Sequence, residues 1–116
     1  MLYLTDTALD ELHEIRRYSI REFGKRAAYK YMEGIANIIR MLEDWPDLLR
    51  EKPFSNNLKF YPVEKHILAC TIVENDIYVL RIFYGGMDIE SIMNELEPNL
   101  LEEARILNMR LKALRN

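Results

Sequence analysis

HILACTIVENDIYVLRIFYGGMD, residues 66–88, decides the fold. Two apolar, β-branched-rich runs, Ile67 to Val73 and Ile77 to Phe83, flank the polar break Glu74-Asn75-Asp76, the pattern of a β-hairpin with a short loop. By strict alternation Tyr78, Leu80, Ile82 and Tyr84 point to one face, and Ile77, Val79, Arg81 and Phe83 to the other. A strand apolar on both faces is expected to be central and covered on both sides. Arg81 is then the odd residue, because a guanidinium on such a strand must reach water, a carboxylate or a partner.

Working towards the N-terminus, Leu58 to Tyr61 is a short strand candidate, turned into the hairpin by Pro62 and Val63-Glu64-Lys65, so a three-stranded antiparallel meander is expected. Asp47 to Asn57 has no clear period and reads as a loop. Before it, Ala28, Tyr31, Ile35, Ile38, Ile39 and Leu42 recur at helical spacing up to Asp44-Trp45-Pro46, where proline stops a helix. An earlier helix carries Leu12, Ile15, Ser19 or Tyr18, and then Phe23 as its buried stripe, and Gly24 stands where a left-handed cap would end it. Two helices joined at one glycine make an antiparallel helical hairpin. Thr5-Asp6-Thr7 can cap its start, and Leu2 to Leu4 is a candidate edge strand.

Towards the C-terminus, Gly85-Gly86 breaks the strand, Asp88 can cap a helix through Ile89, Ile92, Met93 and Leu96, and Pro98 ends it. Asn99 and Glu102 have capping-box spacing, and Leu100, Ala104, Leu107, Leu111 and Leu114 form a seam that packs back on the domain or pairs with another helix. The expected architecture is α+β: an N-terminal antiparallel helical hairpin packed on a three- to four-stranded antiparallel sheet, plus a C-terminal helix. Residues 1–116 form one domain on this reading, with 99–116 a C-terminal extension.

A net charge of −3 from 16 Lys and Arg against 19 Asp and Glu supplies no field for nucleic acid, so direct nucleic-acid binding is not expected. One cysteine cannot make an internal disulfide, no charged-then-apolar leader precedes Leu2, and no apolar run reaches the roughly 18 residues of a membrane span. A cytoplasmic protein with no membrane association is expected.

Individual residues carry two readings each. Arg81 is a partner-contacting cation or a structural arginine bonded to a nearby carboxylate. Tyr84 stacks on a partner or ends a core strand with its hydroxyl at the surface. Asp88 caps the following helix or faces a partner, and Met87 beside it is adaptable in packing. Lys59, with Lys65, Arg50 and Lys52, makes a modest basic cluster. His66 lacks a second histidine or a cysteine pair nearby, so no metal site and no cofactor is expected. Cys70, in a buried strand, should be an inert small hydrophobe.

The ordered set Ala8, Leu12, Ile15 and Tyr18, then Phe23-Gly24, His66-Ile67-Leu68, Val79-Leu80-Arg81-Ile82 and Met87-Asp88 resembles the ParE/RelE superfamily of bacterial toxin-antitoxin toxins, also called plasmid-stabilisation proteins. The resemblance runs from about Tyr3 to Leu96 and is closer to the ParE branch, where Met-Asp after the last strand is common. It implies a toxin that acts by binding a target such as DNA gyrase, makes and breaks no bond itself, and is neutralised by a cognate antitoxin. Arg81, Tyr84, Lys59, Met87 and Asp88 are the partner-contacting candidates, and no catalytic residue is assigned. The RelE branch instead implies a ribosome-dependent messenger RNA endoribonuclease, which needs basic residues around the scissile phosphate and an aromatic to stack a base. Many relatives carry a Tyr-Arg pair where this chain has Cys70-Thr71 and a basic residue where it has Gly86, and those departures weaken the ribonuclease reading, which would need Arg81, Lys59 and Tyr84 to converge. A histidine frequently stands where this chain has Tyr84, which departs from the full ParE pattern. A non-toxic binding protein of the same fold, and a homodimer through the C-terminal helix, are the remaining alternatives.

Overall fold

In the computed structural model, which describes residues 1–115, β1 (Leu2–Leu4) leads into a long helix, α1 (Asp6–Asp44). Thr5 starts α1 as its cap: its Oγ1 accepts the Ala8 amide at 3.2 Å, and Asp6 follows in the first turn where the helix dipole favours an acid. A straight helix of 39 residues would be roughly 58 Å long. The molecule's longest dimension is 41 Å, so α1 must turn back. It does so at Gly24, whose φ of 87° and ψ of 167° interrupt the helix at a single residue. Both ends of α1 consequently meet β1, where Glu43 accepts the Leu2 amide at 2.8 Å, three residues before the Thr5 cap. The arms therefore run antiparallel, as one long helical element kinked at a single non-helical residue. Gly24 has the positive φ of a left-handed cap with an extended ψ, a combination that only glycine adopts readily.

After a short 3-10 turn at Pro46–Leu48, the chain forms β2 (Arg50–Lys52), β3 (Ser55–Val63), β4 (His66–Val73) and β5 (Asp76–Tyr84). The sheet has five strands in the order β1-β5-β4-β3-β2. It is mixed, since β1 pairs parallel with β5 while the other neighbours are antiparallel, which corrects the expected three- to four-stranded antiparallel sheet. The physical reason is connectivity: a tight turn can only reverse a strand, and the whole of α1 follows β1, so β1 and β5 can run the same way. The second addition, β2, lies where a loop was expected; its exposed Arg50, Glu51 and Lys52 carry no alternation, and it forms by laddering on Phe60 and Lys59 of β3. That ladder reaches only to Phe60, so Pro62 lies beyond it on that side and β3 can continue through the proline. Glu74 and Asn75, with φ of 51° and 72°, make the two-residue turn between β4 and β5.

Strict alternation along β5 fails at one place. Ala69 pairs with Arg81 and Cys70 with Val79, so Leu80 is an extra residue, a β-bulge. Ile77, Val79 and Ile82 join the core under α1, whereas Tyr78, Leu80 and Phe83 join the core on the opposite face. Ile82 and Phe83 have thereby exchanged the faces that alternation assigns them. β5 is covered on both sides as expected, by α1 on one and by α2 (Ile89–Arg115) on the other.

α2 runs unbroken through Pro98, against the expectation of a stop there and a new helix at Asn99. Met93 before the proline and Leu100 and Ala104 after it are buried in one core and hold a common axis, while Pro98 and Asn94 face solvent, where water can take the unpaired carbonyl. The seam packs back on the domain as far as Leu107 and Leu111, whereas Leu114, its last member, is exposed. Asn108 fixes its far end, accepting the Tyr78 hydroxyl at 2.9 Å and donating to Glu74 at 3.1 Å. Among the described residues, no helix is long and apolar enough to cross a membrane.

Candidate functional site

Glu11, Ile15 and Ser19 follow each other at four-residue spacing on the first arm of α1, so they share the face turned to the sheet. Glu11 ties that arm to the bulge in β5. Its carboxylate accepts Arg81 Nε and Nη2, each at 2.9 Å, and its Oε1 also accepts the Ile82 amide at 2.9 Å. The side chains are only 22% and 24% exposed, so this forked pair is shielded from solvent on most sides. The Arg81 guanidinium also sits 4.9 Å from the Phe83 ring centroid. Its main partner is internal, which is the structural reading of Arg81.

Beside this clamp, the first arm and the ends of β4 and β5 leave a groove. It comprises two adjoining hollows of about 470 and 740 Å³ that share Glu14, Ile15, His66 and Tyr84. His66 is at its centre. The Tyr31 hydroxyl accepts the Lys65 amide at 3.1 Å and shares a hydrogen bond with His66 Nδ1 at 2.5 Å. The His66 ring meets Tyr31 and Tyr84 edge-on, with centroids 5.7 Å away in each case. Burial pulls the His66 pKa below its ordinary value, only partly opposed by Glu11, and burial pushes the Tyr31 pKa up. A neutral imidazole accepting from a neutral phenol is consistent with both directions.

The rim is aromatic. Tyr18 is 53% exposed, Phe23 63% and Tyr84 53%, and all three line the groove. Aromatic rings gathered at a concavity differ from apolar residues scattered singly on a surface, and mark a place where another molecule can bury them.

Of the residues chosen from sequence, Arg81 and Tyr84 come together in this groove. Lys59 does not. It lies on β3 opposite Cys70, which in turn pairs with Val79, putting it two strands or roughly 10 Å from β5. Lys59 lines neither hollow of the groove in which Arg81 and Tyr84 meet. Met87 is exposed in the turn after β5, its amide bonded to the Tyr84 carbonyl at 3.0 Å. Asp88 caps α2, accepting the Ser91 hydroxyl at 2.8 Å and its amide at 3.3 Å. Cys70 is fully buried and its thiol is pushed up to about 12 by that burial, which makes it inert as a nucleophile.

Tyr18 and Phe23 were missed as rim residues because the sequence left Ser19 or Tyr18 open for the buried stripe and put Phe23 on it; the available signal was that the four-residue step from Ile15 selects Ser19, which is the buried one. Glu11 and Tyr31 carried no signal of their own.

The sequence matches, over residues 2–89, the model of the family described as the ParE toxin of type II toxin-antitoxin system, parDE. No curated protein matches the chain. Among solved structures, the chromosomal ParDE TA system from P. aeruginosa superposes with a TM-score of 0.64 at 19% identity, covering 72% of this chain and 92% of that one. At that identity the likeness is one of fold.

Proposed function

The chain belongs to the family of ParE toxins of type II toxin-antitoxin systems, and from that membership we propose that it acts by binding, with the groove around His66 as the contact surface for its target. The observation that carries this reading is the rim itself, three exposed aromatic rings on one concavity beside a charged clamp that faces inward. Tyr84, Tyr18 and Phe23 contact the partner, with Met87 at the edge. Arg81 works through Glu11, setting the angle at which the first arm presents Tyr18. Lys59, on β3 between β2 and β4, and Asp88, which caps α2, do not line the groove.

The target on this reading is a type II enzyme of DNA topology such as gyrase, and a cognate antitoxin covers the toxin when its action is not wanted. Residues 1–116 act as one cytoplasmic domain, with the stretch from 99 onward a C-terminal helical extension of it.

Purified gyrase and a plasmid test the target directly. Adding this chain should accumulate broken DNA trapped on gyrase, and Tyr84→Ala should need about ten times more protein for the same effect, the loss expected of one buried aromatic anchor. Full supercoiling with no trapped breaks at saturating protein would exclude gyrase.

A further inference from the structure

The two arms of α1 enclose another hollow that shares no residue with the groove. Its volume is about 550 Å³, and Ile20 from the first arm with Ala28 and Met32 from the second supply its apolar lining. Around that lining stand Arg16, Lys25, Arg26 and Lys30, with no carboxylate among the residues facing the space. All four cations are exposed, and among the described residues none is in an ion pair, although Arg17 and Arg21 on the same arm each have a glutamate. In a chain of net charge −3, four free cations around one apolar hollow are a local reversal of sign.

We propose that this hollow docks an acidic peptide segment carrying one large apolar side chain. The side chain enters between Ile20, Ala28 and Met32, and carboxylates on either side of it pair with Arg16, Lys25, Arg26 and Lys30. Two features of the hollow select this occupant. The cations call for an anion, by charge complementarity. The apolar floor calls for a hydrophobic group, which a peptide can present between carboxylates and a phosphate backbone cannot. Tyr29, exposed on the lip, can close over the inserted side chain. The site does not depend on what the aromatic groove binds.

The probe is a short fluorescent peptide of Glu and Asp around one central Leu, titrated into the full chain. Controls are the same peptide with Ser for Leu and a single-stranded RNA of equal charge. The proposal expects saturable binding of the Leu peptide, about tenfold weaker with Ser and about tenfold weaker again for the Arg16→Gln, Lys30→Gln double variant, whose exposed sites leave folding intact. It also expects methyl NMR signals of Ile20 and Met32 to move on binding. No saturable binding, equal affinity for the Ser peptide or the RNA, or unchanged affinity in the double variant would each overturn it; the latter outcomes would leave only a surface that attracts polyanions.

Discussion

Glu11 and Arg81, 70 residues apart in the chain, form a two-point clamp that fastens the first arm of α1 to the bulge in β5. The same carboxylate accepts the Ile82 amide, so one acid satisfies three donors beside an extra strand residue. Glu11→Ala should therefore cost about 2–3 kcal/mol in unfolding free energy, since it leaves both a shielded guanidinium and a backbone N–H unpaired. Arg81→Met should cost less, because it leaves Glu11 its bond to Ile82. In a double-mutant cycle the two losses should fall short of additivity by about 1–2 kcal/mol. Urea unfolding of the three variants measures this, and strict additivity would show that the pair is not coupled.

Two glycines of α1 should respond with opposite signs. At Gly24 a β-carbon would meet nothing within 4 Å, so the cost of Gly24→Ala is purely that of its φ of 87°, about 1–3 kcal/mol. At Gly34, inside the second arm, a β-carbon would lie 3.0 Å from Glu64 Oε1, the movable end of a surface side chain. Gly34→Ala should raise stability by about 0.5 kcal/mol through reduced freedom of the unfolded chain. Thermal melts decide it; a stabilised Gly24→Ala would mean the arms do not need that backbone angle.

Acid should weaken the fold through His66. Burial holds the folded imidazole below the ordinary value of 6.5, so on acidification the unfolded chain takes up its proton first. The contribution is complete above the unfolded value, is lost as pH falls below it, and levels off once the folded ring is protonated too. Protonation would also fix Nδ1 as a donor towards the Tyr31 hydroxyl. Urea midpoints taken between about pH 7.5 and 5 should fall in the wild type and fall less steeply in His66→Gln. The same slope in both would remove His66 from the explanation.

Cys70 should be silent to thiol reagents until the chain unfolds. Its sulfur is fully buried, and burial pushes its pKa up to about 12, so neither access nor thiolate is provided at neutral pH. Labelling should track the unfolded fraction in urea. Stoichiometric reaction in the native protein would show that the α1 side of the sheet opens readily.

The β4–β5 hairpin was legible because its cues are local: two β-branched runs and the Glu74-Asn75 turn. The antiparallel course of the α1 arms was legible at Gly24, where one residue type announces a backbone angle. What escaped was set by distant contacts. Three residues of β1 carry no sign of running parallel to β5, and the charged Arg50, Glu51 and Lys52 become a strand only because β3 offers them an edge. Pro98 looked like a stop, and burial of Met93, Leu100 and Ala104 carried the helix through it. The site divides the same way. Arg81 on an apolar strand demanded an anion and Tyr84 suggested a surface ring, but Glu11 as the anion, and Tyr18 and Phe23 as companions of Tyr84, follow from how the first arm crosses the sheet.

Whether the chain harms a cell by binding through the aromatic groove is read from colony survival after inducing it alone in a bacterium, with soluble protein verified and the Tyr18→Ala, Tyr84→Ala double variant induced in parallel. The wild type should abolish colony formation, and the double variant, equally soluble, should restore most of it. Unimpaired growth with soluble wild-type protein, or equal killing by the double variant, would contradict harm through that groove.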